Sequence, residues 1–197
     1  MRRIPTAVLI SGRGSNMMAL VEAARDPAYP AKITCVLSNR PDAKGLAFAA
    51  DNGIAAVVAD HTAFEHRDEF EAAIDAELRS RGIELIALAG FMRILSGRFI
   101  SGWEGRILNI HPSLLPAYKG LHTHERVLAD GKAIHGCTVH HVTADLDAGP
   151  TILQAEVPVL EGDDAETLAA RVLKEEHRIY PLALAQVAKK LQANTSI

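Results

Sequence analysis

Short apolar runs alternate along this chain with stretches whose apolar residues recur at helical spacing. Residues 6–11, 33–38, 55–58, 85–89 and 107–110 read as strands. Between them, residues 16–24 read as a helix, with Met17, Leu20, Val21 and Ala24 on one face. Residues 44–52 form a short Ala-rich helix closed by Gly53, and 67–81 a longer one that buries Phe70, Ile74 and Leu78 and ends at Gly82. Residues 94–99 read as a further short helix. This alternation predicts an α/β fold: a Rossmann-like, doubly wound, mostly parallel sheet with helices on both faces. After His111 the pattern changes. Residues 112–119 read as a Pro-containing loop, 122–129 as a helix, and 137–142 and 151–157 as two strands joined as an antiparallel addition. Residues 165–192 are helical in pattern, and Pro181 is expected to break or kink them. With no linker, repeat or low-complexity tract, a single domain over 1–197 is expected.

The densest chemistry lies where the fifth strand ends. Asn109 and His111 are two residues apart, so on a strand their side chains leave the same face. Pro112 cannot donate to a central ladder and should stop the strand. An amide and an imidazole then stand together at a strand end, where open α/β sheets hold their ligands. Such a pair can donate to a carbonyl oxygen that gathers negative charge. A nearby carboxylate, from the 145–150 stretch Asp-Leu-Asp-Ala-Gly-Pro, can stabilise the charged imidazole and move a proton.

Six of the nine histidines lie between His111 and His141, which concentrates attention on the same region. His122/His124 and His140/His141 match no zinc spacing, so no metal is expected. His61, His66 and His135 read as hydrogen-bonded core or surface residues. A serine hydrolase built on Ser113 would need a GxSxG elbow, which is missing, and Cys137 reads as an inward strand residue. The loop Ser11-Gly12-Arg13-Gly14-Ser15-Asn16 follows the first strand and opens the first helix, a position suited to a phosphate. It is no Walker A loop. Its dinucleotide fingerprint is incomplete too, with Met17 at the third glycine position and Ser38-Asn39-Arg40 where an acidic ribose ligand would stand.

Composition narrows the classes. The 197 residues suffice for a substantial core, and a net charge of −3 gives no nucleic-acid footprint. The two cysteines, Cys35 and Cys137, fit no disulfide or metal framework and read as reduced, buried thiols. The first residues do not read as a signal peptide, and no run is long enough to span a bilayer, so a cytoplasmic protein is expected.

Several segments carry a resemblance that runs nearly end to end. They are residues 10–16, Leu37-Ser38-Asn39, 88–95, 109–116, Gly120-Leu121-His122-Thr123-His124, 145–150 and 175–181. In these the chain resembles the phosphoribosylglycinamide formyltransferases, folate-dependent enzymes of purine synthesis. The Asn-x-His and Leu-Asp-x-Gly-Pro combination marks folate formyl-transfer domains in general. The Ser-Gly-x-Gly-Ser-Asn loop and Gly-Leu-His-Thr-His narrow it to the glycinamide enzymes. The resemblance implies a formyltransferase fold, with phosphate-substrate binding in the N-terminal half and folate binding in the C-terminal half. It implies Asn109, His111 and Asp147 as catalytic residues. Gly14, Ser15 and Asn16 would hold the substrate phosphate, and Glu176 the glycinamide end. Arg67, Met92, Arg93, Ile94 and Leu95 would surround the folate, with Asn109 and the loop of Val142 and Asp147 closing on it. Lys119, Met17-Met18 and His141 depart from the common forms, at positions where Pro, Leu-Gln and an aromatic residue are usual.

The implied reaction is direct attack of the glycinamide amine on the formyl carbon of 10-formyltetrahydrofolate, the co-substrate, without a protein nucleophile or a metal. Asn109 and His111 would donate to the tetrahedral oxyanion, and Asp147 would help carry the proton to the departing folate nitrogen. The partners are thus two small molecules, with no nucleic acid or membrane, on a monomer or homodimer. Formyltetrahydrofolate deformylase, in which water replaces the amine, is a rival that usually carries an extra N-terminal domain. Methionyl-tRNA formyltransferase carries a C-terminal RNA-binding domain. A non-catalytic folate or nucleotide sensor would not need the Asn109, His111 and Asp147 set.

Overall fold

The computed structural model describes residues 2–194, so Met1 and residues 195–197 of the expected 1–197 domain lie outside the described residues. The chain runs β1 (Ile4–Ile10), α1 (Ser15–Ala23), β2 (Ala31–Ser38), α2 (Gly45–Asp51), β3 (Ala55–Val58), α3 (Arg67–Ser80), β4 (Leu85–Leu88), α4 (Gly97–Gly102) and β5 (Ile107–His111). It continues through α5 (Thr123–Ala129), β6 (Ile134–His141), β7 (Thr151–Pro158) and α6 (Ala165–Asn194). One seven-stranded sheet has the order β3-β2-β1-β4-β5-β6-β7. The first five strands pair in parallel, and β6 and β7 add antiparallel, as the change of pattern after His111 predicts. β1 lies between β2 and β4, so the loops leaving β1 and β4 open on one crevice at the point where strand order reverses. Ser11 ties those two ends: its N–H donates to the Gly90 carbonyl at 3.1 Å, and its Oγ accepts the Met92 N–H at 2.7 Å.

The sheet buries two separate apolar layers. On one face α1 and α6 cover Val8, Ile10, Leu108, Ile110, Cys137 and Val139. On the other, α3 and α4 cover Leu9, Leu37, Ile86, Leu88 and Ile107, with the fully buried Trp103 among them. The indole N–H of Trp103 donates to Asp75 at 2.7 Å, and the guanidiniums of Arg79 and Arg106 lie over its ring. Because Leu108 and Ile110 belong to the α6 layer, alternation sends Asn109 and His111 out of the opposite face.

Two expectations change. The short helix expected at 94–99 forms instead over Gly97–Gly102, because Ser96 is its N-cap, accepting the Phe99 N–H at 3.2 Å. Residues 91–95 remain a loop, with Met92 and Ile94 exposed. The expected break at Pro181 is absent: α6 runs through it. Buried Tyr180, Ala183 and Leu184 hold that stretch against the sheet, and the Tyr29 hydroxyl donates to the Pro181 carbonyl at 2.6 Å, so packing outweighs the missing N–H. The buried Tyr180 hydroxyl in turn donates to the Leu88 carbonyl at 2.8 Å and lies 3.3 Å from that of Leu108, fastening α6 to β4 and β5 behind the crevice.

Candidate active site

The site is built around the end of β5. His111 is buried, and both of its ring nitrogens face oxygen acceptors. Nε2 donates to the Tyr118 carbonyl at 2.9 Å, and Nδ1 lies 3.4 Å from Asp147 Oδ2. Asp147 Oδ2 also accepts the Gly120 N–H at 2.9 Å, so the loop after β5 and the loop after β6 meet at one carboxylate. The described non-glycine residues at positive φ are Tyr118, His122 and Asp147, at 54°, 58° and 48°. All three stand in these two loops, and backbone strain of this kind gathers where geometry serves a ligand.

The antiparallel register places His140 directly opposite Asn109. Asn109 Nδ2 donates to His140 Nε2 at 3.3 Å, while His140 Nδ1 donates to the His141 carbonyl at 2.9 Å. Burial pushes the His140 pKa down, which keeps the ring neutral and Nε2 an acceptor. His140 Nε2 is also 3.8 Å from Asp147 Oδ1. Asn109, His111, Asp147 and His140 therefore form one connected group. The sequence reading did not single out His140. Alternation alone says only that His140 and His141 face opposite ways; the choice between them depends on the cross-strand pairing.

A second wall comes from the β1–α1 turn. Gly14 sits at φ 73° as the N-cap of α1, and a Cβ there would meet Met17 Cε at 2.9 Å and the Gly45 backbone at 3.4 Å. Gly14 thus supplies both the left-handed turn and the close approach. Ser15 and Asn16 open the helix, with no side-chain cap on its first N–H groups. Asn16 Nδ2 donates to Glu176 Oε2 at 2.6 Å, while Asn16 Oδ1 is buried with no hydrogen-bond partner among the described residues. Burial raises the Glu176 pKa, and the Asn16 hydrogen bond offsets part of that rise. A buried amide oxygen and a buried carboxyl side by side form a receptor for N–H donors.

The remaining predicted residues lie at the start of α3 and in the loops after β4 and β6. Arg67 starts α3, and its Nε donates to Glu71 at 3.1 Å. Met92, Arg93 and Ile94 lie exposed on the loop after β4, whereas Leu95 packs into the core, which leaves its backbone rather than its side chain for a ligand. Val142 is half-buried against the same core, its N–H donating to the Ile107 carbonyl at 2.9 Å.

Residues 4–184 match the formyl transferase family. The chain belongs to that family. It is 49% identical over 187 residues to the human trifunctional purine biosynthetic protein adenosine-3, covering 95% of this chain but 18% of that protein. It therefore spans less than a fifth of the length of those trifunctional relatives. It is 46% identical over 181 residues to the phosphoribosylglycinamide formyltransferase of Escherichia coli (strain K12), covering 92% of this chain and 85% of that one. The crystal structure of phosphoribosylglycinamide formyltransferase from Brucella melitensis superposes with a TM-score of 0.92 at 55% identity, over 95% of this chain and 96% of that one.

The other singled-out residues of this formyl transferase chain find structural places. Ser113 is buried, its hydroxyl donating to the Ala117 carbonyl at 2.6 Å. Cys35 and Cys137 are free and buried, with burial pushing their thiols up to about 11 and about 12. His124 Nδ1 and His135 Nε2 are 3.0 Å apart, ring edge to face. Among the described residues no three His, Cys, Asp or Glu side chains are grouped to hold a metal ion, and no helix is long and apolar enough to cross a membrane.

Proposed function

We propose that this chain transfers the formyl group of 10-formyltetrahydrofolate to the amine of glycinamide ribonucleotide, in de novo purine biosynthesis. The observation that carries the reading is the convergence of Asn109, His111 and Asp147 on one crevice, with Asp147 Oδ2 at 3.4 Å from His111 Nδ1. The amine attacks the formyl carbon directly, since a positioned neutral amine is nucleophile enough. The second N–H of Asn109 and the Nδ1–H of His111 donate to the developing oxyanion. Asp147 stabilises the charge on His111 and relays the amine proton towards the departing folate nitrogen. Gly14, Ser15 and Asn16 hold the substrate phosphate at the N-terminus of α1. Glu176, with the unpartnered Asn16 Oδ1, receives the N–H groups of the glycinamide end.

In this reading the N-terminal half of a single domain over 1–197 binds the phosphorylated substrate, and the C-terminal half completes the folate site. Met92, Arg93, Ile94, Leu95 and Val142 line the folate, together with Asn109 and Asp147. The free terminal nitrogens of Arg67 face the carboxylates of the folate tail. Folate and ribonucleotide are the partners of a cytoplasmic monomer or homodimer that needs no metal. The two reduced, buried cysteines support that compartment.

The test is an assay with 10-formyltetrahydrofolate, with and without glycinamide ribonucleotide. Formyl transfer that requires the amine is expected. Deformylation without the amine would assign the chain to the hydrolases, and tight binding without turnover would make it a sensor.

A further inference from the structure

We propose that Glu71 is a positioning residue for the formyl donor, acting through Arg67 without touching the donor itself, while Ser96 holds Glu71 in place. The inference rests on the folate reading of the Arg67 and Met92–Leu95 wall. Glu71 lies one turn into α3 and is 5% exposed. A carboxylate so deeply buried must have its lone pairs taken. All its partners come from two places. Oε1 accepts the Ser96 N–H at 2.7 Å and the Arg67 Nε–H at 3.1 Å, and Oε2 accepts the Ser96 hydroxyl.

The two sets of contacts differ. Ser96 caps α4, and its N–H and hydroxyl hold the Glu71 carboxylate in one place. Arg67 is different: its side chain is 46% exposed, and its terminal nitrogens make no hydrogen bond among the described residues. The root of the guanidinium is therefore held while its fork stays open. A free arginine side chain loses rotamer entropy when it is immobilised by a ligand. Holding Nε beforehand removes part of that loss and aims the fork, which is the value of pre-organisation. A helix cap alone would need only the Ser96 contacts. The second use of Oε1, on an outward-facing arginine, is what ties Glu71 to ligand binding.

Steady-state kinetics with two donors tests this: 10-formyltetrahydrofolate, and its pteroate counterpart that lacks the glutamate. In Glu71→Gln the KM for the glutamate-bearing donor is expected to rise about tenfold, equivalent to ~1.4 kcal/mol. The kcat and the KM for the ribonucleotide should change far less. With the pteroate donor, wild type and Glu71→Gln should share one KM. In an Arg67→Ala background, Glu71→Gln should add nothing. An equal KM rise on both donors, additive losses with Arg67→Ala, or no change at all would overturn the proposal. If Glu71→Gln does not fold, Arg67→Lys decides: it keeps the charge but has no Nε–H to hold, so it should match Arg67→Ala, and a wild-type KM would overturn the proposal. Wild-type protein that transfers from neither donor would instead overturn the formyl-transfer reading, and this inference with it.

Discussion

At the scale of single residues, the site depends on which ring nitrogen points where. His111 has Nε2 committed to the Tyr118 carbonyl, which leaves Nδ1 facing Asp147. Asp147→Asn keeps the shape of that contact but removes the charge. It is expected to lower kcat by at least about 100-fold, the scale of a lost general acid–base group, while calorimetry shows ribonucleotide binding unchanged. In the proposed reading Asn109→Ala removes one oxyanion donor and should raise the barrier by about 2.7–4 kcal/mol, read as a fall in kcat at saturating substrates. The pairing of Asn109 with His111 was legible from spacing alone, because strand alternation is a local rule. His140 was not, because its place opposite Asn109 is set by a register between strands some thirty positions apart in the chain. The buried contact of Asn16 with Glu176 was equally out of reach, since it joins opposite ends of the sequence.

At the scale of elements, the loop after β6 has little freedom. A Cβ on Gly149 would run into the His141 carbonyl and crowd Thr143, so the return towards β7 closes only without a side chain. Gly149→Ala should destabilise the fold by about 1–3 kcal/mol, as overpacking does, and displace Asp147. Thermal unfolding reads the first effect. A loss of kcat at temperatures where the variant remains folded reads the second. The alternation of strands and helices was legible up to β5, and so was the antiparallel switch after it. The missed helix start at Gly97 traces to Ser96, whose capping role competes with the apolar run just before it. The continuity of α6 through Pro181 traces to burial of Tyr180, Ala183 and Leu184, a tertiary effect that local propensity does not register.

At the scale of the whole molecule, buried histidines set the acid limit. Burial pushes His135 down to about 4 from an ordinary 6.5, and lowers His124, His140, His141 and His177 as well. The native state thus resists protons that the unfolded chain accepts. For His135 the contribution to stability is complete above an unfolded-state value of about 6.5 and is lost as pH falls from there towards about 4, and the other lowered rings act in the same direction. Urea unfolding between pH 7.5 and 4 should show the midpoint falling across that window, and a midpoint that stays level would contradict the burial of these rings.

The two apolar layers also divide the chromophores between them. The only tryptophan, Trp103, lies in the layer under α3 and α4, while all three tyrosines, Tyr29, Tyr118 and Tyr180, belong to the layer under α6. Indole emission therefore watches one side of the sheet, and the near-ultraviolet dichroism of the phenols watches the other. Since the strands are shared, the shift of indole emission and the loss of phenol dichroism should share one denaturant midpoint. Two separate midpoints would mean that one side lets go while the other still holds.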